Sequence, residues 1–458
     1  MPPSIALDLG TSRIKGACLD EAGHLTRIVC RDAPPLVGED LIRESDAQAY
    51  ISIAHTVLAE IGKGLPEGTP LGMAAQRSSF LLWDRETGTP VTPLISWQDR
   101  RAMDWCDRHG VLKTTVKRLT GLLLSPHYVG PKLACIMECD PALRARAEDG
   151  ALFFGTIETF LLWSWSRGAV HQTDVTMAGR TLLADVHAGG WSVQLLDAFG
   201  VPARILPEIA LTVDQHVALP GGPCVMSTVA DQPAGVLSAI GEDQGSALVN
   251  LGTGGFVLRP MGSHFAYREG YLSGPLLARS DRETVYAVEG TINGVGHAAA
   301  RFGRGPTPLP ENDPAPQAYA LPDDAGLGAP YWRPERTLTF SERAKALDGE
   351  GKRRIVLEGI VFRVRGILED LCAASDRIYL SGGLAGDPFV GQAMASCLAS
   401  PIEQLEESES TLRGAARLAA GLDPCDAPPS VRVEPGRPGE YLNRKYDGWK
   451  SWVTDLLG

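Results

Sequence analysis

Two short strings in this 458-residue sequence have the composition of phosphate-holding turns. The first is Gly10-Thr11-Ser12, between the strand-like runs Ile5-Ala6-Leu7-Asp8-Leu9 and Ile14 to Leu19. A phosphate needs backbone N–H groups aimed at it and room for close approach. Glycine provides the room, and Thr and Ser hydroxyls add donors. Lys15 brings a positive charge three residues on, and Asp8, ending the first strand, could hold a magnesium ion through its water shell. The second string is Gly252-Thr253-Gly254, between Ala247–Leu251 and Phe256–Leu258. Either string alone reads equally well as an ordinary β-turn. Facing each other across a cleft, the two would clamp the tail of ATP, as phosphoryl transfer requires. No GxxxxGK[ST] string occurs, so a P-loop is excluded.

The elements around these turns must bring them together. The strand–turn–strand unit recurs about 240 residues apart, which suggests a duplication with one copy per domain. Ala47, Tyr50, Ile51, Ala54, Val57, Leu58 and Ile61 share one face of a helix over 46–61. Strand-like runs at Gly72–Ala75 and Phe80–Trp83 then alternate with helical ones to about residue 235, the pattern of an α/β layer fold. We expect two domains, residues 1–239 and 240–458. In the second, the Pro-, Gly- and Asp-rich stretch Gly303–Pro330 reads as a long surface connection. A helix at 352–374 and a strand Arg377–Ser381 follow, and the Pro-rich tail carries little information.

Composition narrows the function. A net charge of −12 argues against a nucleic-acid footprint. The longest apolar block, Phe160–Trp165, is far too short to span a bilayer, and no targeting segment opens the chain. The nine cysteines are scattered, and Cys135 and Cys139 read as helical neighbours in a reduced core. A cytoplasmic enzyme with no nucleic-acid or membrane partner is expected. A homodimer is compatible with the sequence and not specified by it.

A series of strings in fixed order makes the chain similar to a known family. They are IALDLGTS, a Gln76-Arg77 pair followed by a strand and LISWQDRRA, GTIETFLLW, HQTDVTMAGRTLL, ADQPAG, NLGTGGF, GLGAPYW and SGGLAGDPF. Together they resemble the FGGY carbohydrate kinases, and among these the glycerol kinases. The resemblance runs from Ile5 to about Gly421. It implies two RNase H-like domains of the actin/hexokinase ATPase type, with ATP, Mg2+ and a small sugar or polyol in the cleft between them. It implies that Asp231 removes the proton from the attacking hydroxyl. Asp231 also suits the N-cap of the helix that starts beside it, and both roles can hold together. The resemblance further implies an acceptor site of Arg77, Trp97, Gln232 and Phe256. It implies an ATP site of Thr11, Ser12, Lys15, Gly252, Thr253, Gly296, Gly383 and Asp387.

Two positions depart from the glycerol kinases. Their glutamate beside the arginine is Ser78 here, and their tyrosine is replaced by His127, unless a one-residue shift brings in Tyr128. Serine is short and uncharged, so the reading predicts a larger pocket and an Arg77 without its partner. A site lacking a hydrogen-bonding group discriminates poorly for the substrate that needed it. The expected acceptor is therefore not glycerol but a longer polyol, a ketose, or a substrate with an anionic group near Arg77. Rival readings are glycerol kinase proper, a non-catalytic nucleotide sensor, and a hydrolase on the same fold. Arg100 and Arg101 read either as cleft-lining or as interdomain salt-bridge residues. His171 reads as structural, and the acidic run Glu403–Glu409 as a solvated face.

Overall fold

The computed structural model describes residues 4–265, 267–280, 283–303, 305–373, 376–406, 409–423, 425 and 429–458. Two mixed sheets organise the chain. The first half contributes β1 (Ser4–Leu9), β2 (Arg13–Leu19), β3 (Leu25–Asp32), α1 (Ala47–Gly62), β4 (Pro70–Ala75), α2 (Val129–Cys139), α3 (Val175–Ala178), β5 (Cys224–Ala230) and α4 (Asp231–Ile240). Its main sheet has the order β3-β2-β1-β4-β5, with Val217–Ala218 added at the edge. β1, β2 and β3 pair antiparallel, while β1, β4 and β5 run parallel.

The second half contributes β6 (Ser246–Leu251), β7 (Gly255–Gly262), β8 (Leu272–Ser280), β9 (Glu283–Ile292), α5 (Val295–Ala300), α6 (Gly349–Leu371), β10 (Arg377–Ser381), α7 (Pro388–Leu398), β11 (Ile402–Leu405), α8 (Ser410–Ala419), β12 (Ser430–Val433) and α9 (Gly439–Leu457). Its sheet has the order β8-β9-β7-β6-β10-β11-β12. The core β9-β7-β6-β10-β11 has three antiparallel strands followed by two parallel steps. That repeats the order and sense of the first sheet, as a duplication of the opening hairpin predicts.

The alternation of side chains in β1 explains how helices cover both faces. Ile5, Leu7 and Leu9 pack in one apolar cluster with Tyr50, Ala54, Val57 and Ile61 of α1. Asp46 caps α1, accepting from Ala49 N at 2.9 Å. The opposite face carries Ala6, Ala17 and Ala74, small residues that let α4 and α8 approach closely. A Cβ on Gly72 would stand 2.0 Å from the Ala415 carbonyl oxygen, and one on Gly414 would stand 2.1 Å from that of Ala234. Ser4 Oγ donates to Ala416 O at 2.9 Å. α8, from the second half of the chain, thus lies against the sheet of the first.

Two expectations need correction. The stretch Gly303–Pro330 is a surface connection only in its first half, up to about residue 317. Ala318, Ala320, Leu321, Asp323, Leu327 and Ala329 are buried in the second core. Asp323 pairs with Arg363 of α6 at 3.0 Å, which satisfies a charge that composition alone made look exposed. The tail is also structural: Tyr446 and Trp449 of α9 stack near Phe362 of α6, with ring centroids 5.6 and 5.8 Å away. Among the described residues, no helix is long and apolar enough to cross a membrane.

Candidate active site

The β1–β2 turn is built for glycine. Gly10 N donates to Arg13 O at 3.1 Å, and a Cβ on Gly10 would stand 2.7 Å from that oxygen. Tyr50 Oη donates to Gly10 O at 2.8 Å. Thr11 Oγ1 donates to Gln76 Oε1 at 2.8 Å and accepts from Trp97 Nε1 at 2.9 Å. The first turn is therefore tied directly to the tryptophan expected at the acceptor. Ser12 is exposed. Lys15 Nζ lies 2.7 Å from Glu409 Oε2, at the start of α8. This corrects the acidic run 403–409 as a merely solvated face: Glu409 closes an ion pair, while residues 407 and 408 lie outside the described residues.

At the β6–β7 turn, Gly252 N donates to Gly254 O at 2.9 Å, and Thr253 is exposed. Gly296 of α5 donates to Thr253 O at 3.1 Å, and a Cβ there would stand 2.6 Å from Gly252 O. Gly296 thus packs directly beneath the turn. Gly382, at φ +93°, closes on the Leu251 carbonyl, whereas a Cβ on Gly383 would meet open space. The Asp387 carboxylate is committed within the protein: it accepts from Arg353 Nη2 at 2.8 Å, Phe389 N at 3.0 Å and Thr307 N at 3.3 Å.

Asp231 is the first residue of α4. The N-cap position is Ala230, which makes no side-chain bond, so the capping role is displaced by one residue. Asp231 Oδ1 accepts from Gln232 N at 2.8 Å and lies 3.6 Å from Arg77 Nε. Burial pushes the Asp231 carboxyl above its ordinary range, with Arg77 and the Gln232 N–H acting the other way. A raised carboxyl is a stronger base, the direction that proton removal from an alcohol needs.

The expectation that Arg77 lacks a carboxylate partner is wrong. Arg77 Nη1 lies 3.1 Å from Oε2 of Glu289, on β9 of the other half, and Arg180 donates to the same oxygen. Burial alone would raise the Glu289 carboxyl, but Arg180 and Arg77 overrule it and hold it at about 2. Ser78 adopts φ +63°, and its Oγ donates to Arg180 O at 2.8 Å, so its hydroxyl is spent inside the protein. Tyr128 lies near the same charged cluster: burial raises its hydroxyl, and the positive charges of Arg180 and Arg77 act against that rise. His127 instead sits against Trp97, its Nδ1 3.3 Å from Trp97 O. Behind both loops the buried Lys132 donates to Ser96 O at 2.8 Å and Ser78 O at 3.3 Å. Phe256 borders the second turn, since a Cβ on Gly254 would touch its ring at 3.4 Å. Arg101 pairs with Asp99 and Glu44 of its own half, so it makes no interdomain bridge. His171 bonds Phe154 O at 2.8 Å.

Asp8 is the residue expected to hold a cation through water. Burial pushes its carboxyl up to about 7, and the nearby Asp231 adds to the rise, so positive charge would be stabilising there. Among the described residues no three potential ligands converge into an all-protein metal site.

Glu289 and Arg180 escaped the sequence reading. Arg180 stands inside a quoted string with no partner in sight. Glu289 did leave a signal: a lone charge in the apolar run Val285-Tyr286-Ala287-Val288 that continues to Ile292. A carboxylate so placed must be paired to be buried.

Comparison with known proteins places this geometry. The model of the FGGY family of carbohydrate kinases, N-terminal domain, matches residues 4–247, and that of the C-terminal domain matches residues 247–421. The glycerol kinase of Methylobacterium nodulans is 33% identical over 505 residues, covering 99% of this chain and 98% of the relative. That of Xanthobacter autotrophicus is 30% identical over 493 residues, covering 99% of each. Among solved structures, Plasmodium falciparum glycerol kinase with ADP superposes with a TM-score of 0.87 at 22% identity, covering 99% of this chain and 98% of that one. A xylulose kinase from Lactobacillus acidophilus gives 0.85 at 18% identity, covering 100% and 99%.

Proposed function

The chain belongs to the FGGY family of carbohydrate kinases, phosphotransferases with alcohol acceptors, and from that premise we propose that it phosphorylates a primary hydroxyl of a neutral polyol or ketose. The observation that carries this reading is the cluster at the start of α4. There a partly buried Asp231 lies beside Arg77, and Glu289 is shared by Arg77 and Arg180, so the two guanidiniums and two carboxylates sum to zero charge.

In this reading ATP lies between the turns at 10–12 and 252–254, with adenosine towards Gly383. Domain closure excludes water. Asp231 accepts the acceptor's hydroxyl proton as that oxygen attacks the γ-phosphorus. Arg77 and Trp97 orient the acceptor, Phe256 walls it, and Tyr128 stands nearer than His127 to the charged cluster. Lys15, fixed by Glu409, contributes positive potential behind the first turn. A magnesium ion held through water at Asp8 would neutralise charge on the phosphates. The division into domains 1–239 and 240–458 belongs to the same proposal, with α8 as the segment returning to the first sheet. A cytoplasmic location is also part of it.

The test is an acceptor screen at fixed MgATP over three- to seven-carbon polyols, ketoses and sugar acids, run with wild type and Asp231→Asn. Neutral polyols and ketoses should give a higher kcat/KM than sugar acids. Asp231→Asn should still bind ATP while kcat falls by about 10²-fold or more. A sugar acid as the best substrate would overturn the acceptor assignment, and near-normal kcat in Asp231→Asn would overturn the base.

A further inference from the structure

Behind Asp231 lies a buried network that the transfer reaction does not itself use. Asp174 is fully buried between Thr173 and α3. Its Oδ1 accepts from Thr176 Oγ1 at 2.9 Å and Met177 N at 3.1 Å, and its Oδ2 accepts from Thr176 N and Thr212 Oγ1, both at 3.0 Å. Thr176 Oγ1 in turn accepts from Ala230 N at 2.8 Å. Ala230 is the residue at which extended β5 breaks into α4, immediately before Asp231. On the other side, Ala278 N of β8 donates to Thr212 Oγ1 at 3.1 Å, and Thr212 N donates to Ala278 O at 3.0 Å.

We propose that Asp174, acting through Thr176, is a positioning residue that sets the place of Asp231 and ties it to β8 of the second sheet. The proposal rests on the reading of Asp231 as the base. The direction of the hydrogen bonds makes the network specific. A threonine hydroxyl has one proton. Thr176 gives it to Asp174 and so keeps a lone pair for Ala230 N–H. Thr212 does the same, keeping a lone pair for Ala278 N–H. An acceptor-only carboxylate is what orients both hydroxyls this way. N-capping of α3 explains the bonds from Thr176 N and Met177 N, but it does not require the two hydroxyl relays that leave in opposite directions.

The test compares Thr176→Val, which keeps the shape and loses the relay, with Thr176→Ser, which restores a hydroxyl. The readouts are kcat per folded enzyme, KM for ATP and acceptor, and the thermal midpoint. Thr176→Val should lose about tenfold or more in kcat with both KM values within about twofold, because a displaced base costs turnover and not binding. Thr176→Ser should recover most of that loss. If Thr176→Val does not accumulate as folded enzyme, Thr212→Val takes its place and should show the same kcat-only defect. The proposal is overturned if kcat per folded enzyme is unchanged while only the midpoint falls, or if the serine variant is no better than the valine. Asp231→Asn, run in parallel, separates the two ideas. A dead Asp231→Asn beside a normal Thr176→Val removes only the positioning role, whereas an active Asp231→Asn removes the base itself.

Discussion

Replacing Glu289 by glutamine keeps the shape of the side chain and deletes its charge. The structure predicts both the size and the pH dependence of the result. The Glu289 side chain is 4% exposed, and those of Arg77 and Arg180 are 14% and 11% exposed. Two nearly buried guanidiniums would lose their common carboxylate, and breaking a buried pair from one side costs about 3–5 kcal/mol. A second route agrees: a carboxyl held at about 2 in place of its ordinary 4.5 contributes about 3 kcal/mol at neutral pH. The folded value is depressed, so this contribution is complete well above pH 4.5 and is lost as the pH falls through that range towards 2. Urea unfolding of wild type and Glu289→Gln should therefore differ by about 3 kcal/mol at pH 7. The gap should narrow by about 1 kcal/mol between pH 5 and pH 3.5, as wild-type unfolded chains take up the proton first. Because Glu289 reaches Arg77 across the two sheets, the variant should also raise KM for the acceptor more than KM for ATP. A stability gap under about 1 kcal/mol at pH 7, or one independent of pH, would refute the ion-pair reasoning.

Two glycines give sharper steric tests. Gly296→Ala puts a Cβ 2.6 Å from the Gly252 carbonyl oxygen, so the second turn must shift, and KM for ATP should rise about tenfold with acceptor KM little changed; an unaltered KM for ATP would remove the turn from the nucleotide site. Gly72→Ala puts a Cβ 2.0 Å from the Ala415 carbonyl oxygen, and forcing α8 off the first sheet should cost about 2–3 kcal/mol in urea unfolding; a variant as stable as wild type would mean that the two halves do not depend on this contact.

How much of this was legible in the sequence varied with the range of the signal. The hairpins around Gly10 and Gly252 were readable because a strand, a glycine turn and a second strand are consecutive in the chain. The helix over 46–61 was readable because its apolar face repeats locally. Glu289 and Arg77 meet across the two sheets, and no spacing rule links position 77 to position 289. The same holds for Lys15 with Glu409 and for Asp323 with Arg363. Glu289, Asp323 and Arg363 are charges that look exposed on composition and are buried because a distant partner stabilises them there. Ser78 misled in a different way. Its type was read correctly, but its Oγ turns back to Arg180 O, and the carboxylate beside Arg77 comes from the other half of the molecule. A substitution at one position was taken for the loss of an interaction that the fold supplies from elsewhere.

That exchange bears on the acceptor. With Asp231 Oδ1 at 3.6 Å and Glu289 Oε2 at 3.1 Å, Arg77 already faces two negative groups. With Arg180 on the same Glu289 oxygen the cluster sums to zero charge, so an anionic acceptor would add an uncompensated charge beside two carboxylates, and like charges about 4 Å apart repel by about 4 kcal/mol at a partly buried site. A neutral polyol meets no such cost. Its hydroxyls can accept from the guanidinium N–H groups not engaged by the carboxylates, and one of them can donate to Asp231. The proposed preference for a neutral acceptor over a sugar acid rests on this charge balance around Arg77.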